Sequence, residues 1–304
     1  MEPRPYRDER DWEKMRQLLI DGRAANNGAY YVHVGDISWW MFYPNREAEF
    51  AERIFLWEER DDLFGWCLLT PDERYLDVFA HPNERGTERA AQMFAWAEAR
   101  LGERVKAQGG AEIQTMWIFE DDAVRTEFLQ GRGFKQSEAF LPHFTHSLAG
   151  PIPAPTLPEG CTVRHVEGEH EAQKRAAASH AAFQSRLPFE KYWPRYLSFM
   201  QSRMYERERD RIVVAPDGRV AAFCVIWFDP VNKVGLFEPV GTHPDFQRRG
   251  LGKALMLDAL ERMKERGMET AIVSTYNDNE AAIKLYESVG FQRVNRLRIY
   301  AKDV

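Results

Sequence analysis

The chain has 304 residues, 44% hydrophobic and 29% charged, ordinary usage for a globular protein of one large or two average domains. Its longest apolar runs, such as residues 220–228, reach about nine residues against the ~20 that cross a bilayer, so no membrane partner is expected, and Met-Glu-Pro-Arg-Pro at the N-terminus shows no secretory pattern. Net charge is −6, without the basic excess of a nucleic-acid binder.

The acid is unevenly spread. Residues 1–150 hold 18 basic and 27 acidic side chains, the remainder 23 and 20. An acidic protein suits a cationic small partner. Cys67, Cys161 and Cys224 form no metal-ligand spacing and are odd in number, which fits a reducing cytoplasm.

In chain order, the first half reads as a helix from residue 9, then strands near 53–58, 63–70 and 75–80. A helix over 88–108, a strand over 111–119 and a helix over 122–130 follow. Residues 39–43, Trp-Trp-Met-Phe-Tyr, form a dense aromatic cluster expected in the core or at a domain interface. Residues 149–160 hold four prolines and two glycines and read as a stiff linker, because proline removes N–H donors. The second half reads as a strand over 162–166 and helices over 169–183 and 189–200. Strands over 211–215 and 219–228 flank the turn Pro216-Asp217-Gly218, and another covers 235–242. A helix over 250–266, a strand over 270–275, a helix over 279–289 and a final strand pair over 291–302 complete the pattern. Alternating strands and helices predict an α/β fold with a mixed sheet in each half.

The halves repeat. The core around Cys67 recurs around Cys224, and Gly133-Phe134 recurs as Gly290-Phe291, both at an offset of 157. His81-Pro82 recurs as His243-Pro244, and Arg85-Gly86 as Arg249-Gly250. Two copies of one fold are expected, divided as residues 1–148, the linker 149–160, and residues 161–304.

Most of the legible chemistry lies between residues 237 and 254. A strand runs into Gln247-Arg-Arg-Gly250-Leu-Gly252-Lys253, which opens a helix. Glycines at the turn, free backbone N–H groups at the helix start and three cations describe a pyrophosphate cradle. The Gly-Lys-Ser/Thr of a P-loop is absent, and Leu255 stands where a Rossmann fingerprint needs a third small residue. Pro239 predicts a bulge or splayed edge in the preceding strand. Glu238 beside it is a candidate general base, able to take the proton of an ammonium nucleophile. His143-x-x-His146 lacks a third metal ligand, and no metal is expected.

Gln247-x-x-Gly250-x-Gly252, followed by Asn279, by Tyr286 seven residues later and by Gly290-Phe291, resembles motifs A and B of the GNAT acetyltransferase superfamily. The resemblance is strong over residues 160–304 and only architectural before them. It implies two tandem GNAT-like domains, the second catalytic, with acetyl-CoA as cosubstrate. The pyrophosphate would lie on Gln247, Arg248, Arg249, Gly250, Leu251, Gly252 and Lys253. The pantetheine arm would pair with Val240, Gly241 and Thr242, and Asn279 would touch it. Tyr286 would protonate the departing thiolate, and Arg186, Phe189 and Trp193 would wall the acceptor. In the first half Glu88 replaces Gly252, Asp122 replaces Asn279, Leu129 replaces Tyr286 and Leu76 replaces Glu238, which implies a copy that kept the fold and lost the cofactor. The function implied is N-acetylation of a small-molecule primary amine by direct attack, the acceptor being an aminoglycoside, a polyamine, an amino acid or a protein amine. A non-catalytic acyl-CoA-binding or scaffold protein and a protein N-terminal or lysine acetyltransferase are the alternatives. A thiol that leaves as an anion calls for a proton donor such as Tyr286, which a pure binding protein would not need.

Overall fold

Twelve strands pair edge to edge in the computed structural model, which describes residues 2–43 and 47–304. The first half runs β1 (Arg4–Pro5), α1 (Glu9–Ala25), α2 (Val34–Phe42), α3 (Phe50–Arg53), β2 (Ile54–Glu59), β3 (Asp62–Thr70), β4 (Tyr75–Ala80), α4 (Glu88–Ala107), β5 (Glu112–Phe119), α5 (Ala123–Gly131) and β6 (Lys135–Ser147). The second half repeats it as β7 (Thr162–His165), α6 (Ala172–Ala182), α7 (Phe189–Met200), β8 (Asp210–Val214), β9 (Val220–Asp229), β10 (Val234–Thr242), α8 (Leu251–Glu265), β11 (Thr270–Ser274), α9 (Glu280–Val289) and β12 (Gln292–Asp303). The mixed α/β architecture expected from the sequence is observed. Where a final strand pair was expected, one long strand stands, because β12 runs unbroken through residues 292–303.

Local chemistry explains the helix boundaries. Asp8 caps α1 by accepting from the Arg10 N–H, Thr87 caps α4, and Asn279 caps α9, which Gly290 closes at φ 103°. An arginine clamps the first long helix of each half. Arg4 holds Asp11 at 2.7 and 2.6 Å, and Arg164 holds Glu171 at 2.8 and 2.6 Å.

The sheet order is β1-β2-β3-β4-β5-β12-β6-β11-β10-β9-β8-β7. Each half therefore gives its last strand to the other. β6 pairs with β11, β12 pairs with β5, and β6 and β12 pair with each other, all antiparallel. β4–β5 and β10–β11 are parallel and are paired only over short stretches.

Three main cores follow. One packs under α8 and α9 and another under α4 and α5. The third is shared: Trp12, Ile37, Phe42 and Trp66 of the first half pack with Phe199, Phe223, Trp227 and Ile272 of the second. Each such side chain, fully buried, contributes roughly 1.5–3 kcal/mol. The shared core holds α2 against the second half's sheet. Gly35 has no room for a Cβ against Trp227. His33 accepts the Gly35 N–H at its Nδ1, so its Nε2–H donates to the Val234 carbonyl at 3.0 Å.

Candidate active site

β10 is built to open. It pairs with β11 only through Val234, Gly235 and Leu236, and its register against β9 shifts between Phe237 and Val240. Glu238 and Pro239 occupy that shift, with a cis peptide between them. Proline has no ladder donor, so the pairing breaks where the sequence predicts. Beyond Leu236 the β10 edge that faces β11 is free, leaving Val240, Gly241 and Thr242 on an open strand. Gly241 lies directly against the Phe223 ring.

The loop after β10 is a cradle. Gly250 sits at φ 80° and starts α8 without any side-chain cap. Residues 248–253 donate no N–H to a backbone carbonyl of the described residues. Gln247 Nε2 donates to the Thr242 carbonyl at 3.3 Å, bracing the loop. A Cβ on Gly252 would meet Thr242 Oγ1 at 3.0 Å and Leu285 at 3.3 Å, so any larger residue would crowd both side chains. Arg248, Arg249 and Lys253 are exposed, and Leu251 is buried beneath them. Free amides, a helix start and cations on one loop suit a phosphate group.

The open edge leads into a cavity of about 610 Å³ walled by both halves. The second half supplies Glu238, Pro239, Val240, Asn279 and Tyr286; the first supplies His33, Asp36, Trp39, Trp40, Tyr43 and Asp77. The Asp36 and Glu238 carboxyls are close neighbours that act on each other's protonation. Asp36 is itself fixed by the His33 N–H at 2.7 Å in a capping box. Burial, and then the charge of Asp36, hold Glu238 well above the usual carboxylate range, and the neighbouring Trp40 indole opposes them. Burial raises Asp36 as well. Two close carboxyls of this kind hold one proton between them. His33 is driven down to about 3 by burial and is neutral.

Tyr286 is buried on α9, edge-on to Phe144 at 5.7 Å. Burial, with the charge of Glu238 adding to it, raises its phenol above the ordinary value, so it keeps its proton. Asn279 lines the same cavity while capping α9: its Oδ1 accepts from Ala282 at 3.2 Å and its Nδ2 donates to Thr275 at 3.1 Å.

The matching cleft of the first half, about 360 Å³, is filled differently. Tyr31 donates to the Ala80 carbonyl at 2.7 Å and Arg125 to the Val78 carbonyl at 3.4 Å, so side chains of this half take two β4 carbonyls. Arg85 pairs with Asp122 at 2.6 Å and Arg89 with Glu84 at 3.1 Å. Thr87 caps α4 where α8 is left uncapped. Glu88 begins that helix.

The structure thus brings Glu238, Val240, Asn279 and Tyr286 to one cavity, while Gly241, Thr242 and the 247–253 loop continue the chain beyond its lining. Arg186 is exposed on the α6–α7 connection, while Phe189 and Trp193 pack against the shared core; none of the three lines this cavity. The aromatic cluster, expected in core or interface, stands at the interface and walls the cavity too. Asp36 was missed because one acid on a short helix carries no pattern. Its His-x-x-Asp capping box was the signal available. His143 bonds Ser274 Oγ at 3.0 Å within the β6–β11 pairing. Among the described residues the one group able to offer three metal ligands is Glu167, His170 and Glu171, which does not line the cavity.

Residues 178–291 match the Acetyltransferase (GNAT) family. A mycothiol acetyltransferase of Thermobispora bispora is 27% identical, over 79% of this chain and 80% of its own. One from Rhodococcus erythropolis is 28% identical, over 83% and 85%. Among solved structures, a tandem GNAT protein from the clavulanic acid biosynthesis pathway has a TM-score of 0.69 at 15% identity, covering 99% of this chain and 98% of its own. A GCN5-related N-acetyltransferase from Sphaerobacter thermophilus has a TM-score of 0.68 at 19% identity, covering 99% and 95%. At those identities the structural likeness speaks for the fold alone. Among the described residues, no helix is long and apolar enough to cross a membrane.

Proposed function

Because this chain belongs to the GNAT acetyltransferase superfamily, and is an acetyl-CoA-dependent N-acetyltransferase of that type, we propose that it has one working site, in residues 161–304, and that acetyl passes there directly to a small-molecule primary amine. The division into residues 1–148, a linker and residues 161–304 is part of the same reading. The observation that carries it is the shared wall: Glu238 and Tyr286 line one cavity that is continuous with the open β10 edge.

Family members use acetyl-CoA as cosubstrate, and the residues present fit it. Gln247, Arg248, Arg249, Gly250, Leu251, Gly252 and Lys253 would hold its phosphates. Val240, Gly241, Thr242 and Asn279 would hold its arm. When bound it supplies an acetyl group activated as a thioester. The acceptor arrives as an ammonium and must lose a proton before its nitrogen lone pair can attack. Glu238 takes that proton while its own passes to Asp36, so the pair goes from one shared proton to two. Tyr286, held protonated by burial, gives its proton to the sulfur as negative charge grows there. Asp36 orients Glu238 and raises its proton affinity toward that of an amine.

A roof of α2 and the aromatic cluster over the acceptor side favours a small molecule over a protein chain end. Acetyl-CoA offered with a panel of amines, followed by thiol release, tests the reading. Release above background with at least one amine is expected, and loss of it in Glu238→Gln. CoA binding without transfer to any amine would leave a binding protein instead.

A further inference from the structure

The reaction needs one anionic group for the incoming ammonium, and the Asp36–Glu238 pair provides it. The cavity holds one buried carboxyl more. Asp77 lies on β4, 8% exposed, among the residues that line this chamber and also the first-half cleft. Among the described residues its side chain makes no hydrogen bond and no ion pair. A buried carboxyl without a partner is costly, and a bound ligand group can supply the partner.

The neighbouring charges narrow what that group is. Arg125, behind Asp77 in the first-half cleft, is outside ion-pair distance and donates to the Val78 carbonyl. Arg23 donates to the Tyr31 carbonyl at 2.9 Å and faces Asp36 and Asp229. Arg53 is held by Glu49 and Asp72. Glu73 is a further acid, exposed on the same cavity. With one proton shared by Asp36 and Glu238, the lining carries three negative charges against Arg23 and Arg53, and Arg53 is already held by Glu49 and Asp72 outside it.

Its walls are aromatic. Trp40 stacks on Trp117 at 5.1 Å, and Trp39 on Tyr43 at 4.1 Å. Trp117 takes φ 68°, a conformation that a bulky residue adopts only when its surroundings impose it. Aromatic faces attract cations and cover methylene chains.

Resting on the single-site reading above, we infer that the acceptor is a dibasic amine, its reacting nitrogen at Glu238 and its second ammonium on Asp77. Burial, with the charge of Asp36 adding to it and that of Arg125 opposing, raises Asp77 to about 7. A bound cation would lower it again and hold the site ionised.

The test compares pentylamine, 1,5-diaminopentane and glucosamine as acceptors for the full chain at pH 8, with wild type and Asp77→Asn. The diamine is expected to exceed pentylamine at least about tenfold in kcat/KM, and Asp77→Asn to bring that ratio near one by raising KM for the diamine. Equal use of the two, or an unchanged ratio in Asp77→Asn, overturns the inference and leaves the acetyltransferase reading standing. So does a preference for glucosamine that Asp77→Asn abolishes, which would assign Asp77 to hydroxyl groups. Should none of the three be acetylated, the choice of site is at fault, and calorimetry decides the inference separately. Diaminopentane binding in the presence of CoA, lost in Asp77→Asn, upholds the second-cation site; its absence in wild type overturns it.

Discussion

The Tyr286 hydroxyl makes no hydrogen bond to a described residue, and it lines the cavity beside Glu238. On the proposed mechanism its ring packs in the ground state, and its O–H acts only when charge develops on sulfur. Tyr286→Phe should therefore leave CoA affinity within a few fold and lower kcat at least tenfold, against the ~10²–10⁴ typical of general acids. Unchanged kcat with chemistry rate-limiting would reduce Tyr286 to a packing residue. On the same mechanism Asp36 is a positioning residue with its own signature. Its charge raises Glu238, so Asp36→Asn should lower the proton affinity of Glu238 and move the acidic limb of the kcat/KM profile to lower pH. An effect through packing alone would lower the rate without moving the limb. Asp77 adds a stability prediction. Its folded value of about 7 lies above the ordinary 3.8, so the folded state holds this proton more tightly than the unfolded state. Stability is consequently lost as pH rises from about 4 through 7. Asp77→Asn should raise Tm at pH 8 by at least about 2 °C, a gain that vanishes near pH 4. Thermal unfolding at both pH values checks it.

At the scale of elements, much of the site was legible in the sequence, for physical reasons. Glycine and proline act locally, so Gly250, Gly252 and Pro239 announced the cradle and the splayed strand. The repeat was readable where it rests on core residues such as Cys67 and Cys224. The Arg4–Asp11 and Arg164–Glu171 clamps repeat as well, yet Asp and Glu differ at the second position and hide it. Helix α2 was missed because its nine residues are largely apolar, Val-Gly-Asp-Ile-Ser-Trp-Trp-Met-Phe, and no polar face marks a helical period. With α2 went Asp36 and the cavity roof. The exchange of β6 and β12 was invisible, since a strand's own residues do not name its partner. In the first-half cleft, Arg125 and Tyr31 occupy the β4 carbonyls in a way no alignment of loops could show.

For the whole molecule, the exchanged strands and the shared core tie the two halves into one folding unit. Residues 149–304 alone would lack β6, exposing one edge of β11 and leaving β12 without either neighbour. Exposed edges and an uncovered core favour aggregation. That fragment should be insoluble or oligomeric by size exclusion, and coexpression with residues 1–148 should recover a soluble pair. A monomeric fragment that binds CoA would show the halves to be independent. On the single-site reading, the same architecture makes the first half required even without a cofactor of its own: it supplies the roof, the carboxyl beside Glu238 and the far wall of the chamber. The central claim, one working cofactor site set by the cradle of the second half, is tested most directly by calorimetric titration of CoA into the full chain and into Gly252→Glu. One CoA per chain is predicted for the wild type and none for the folded variant, because a carboxylate and its side chain would fill the space the phosphates need. Two equivalent sites, or undiminished affinity in Gly252→Glu, would contradict the account.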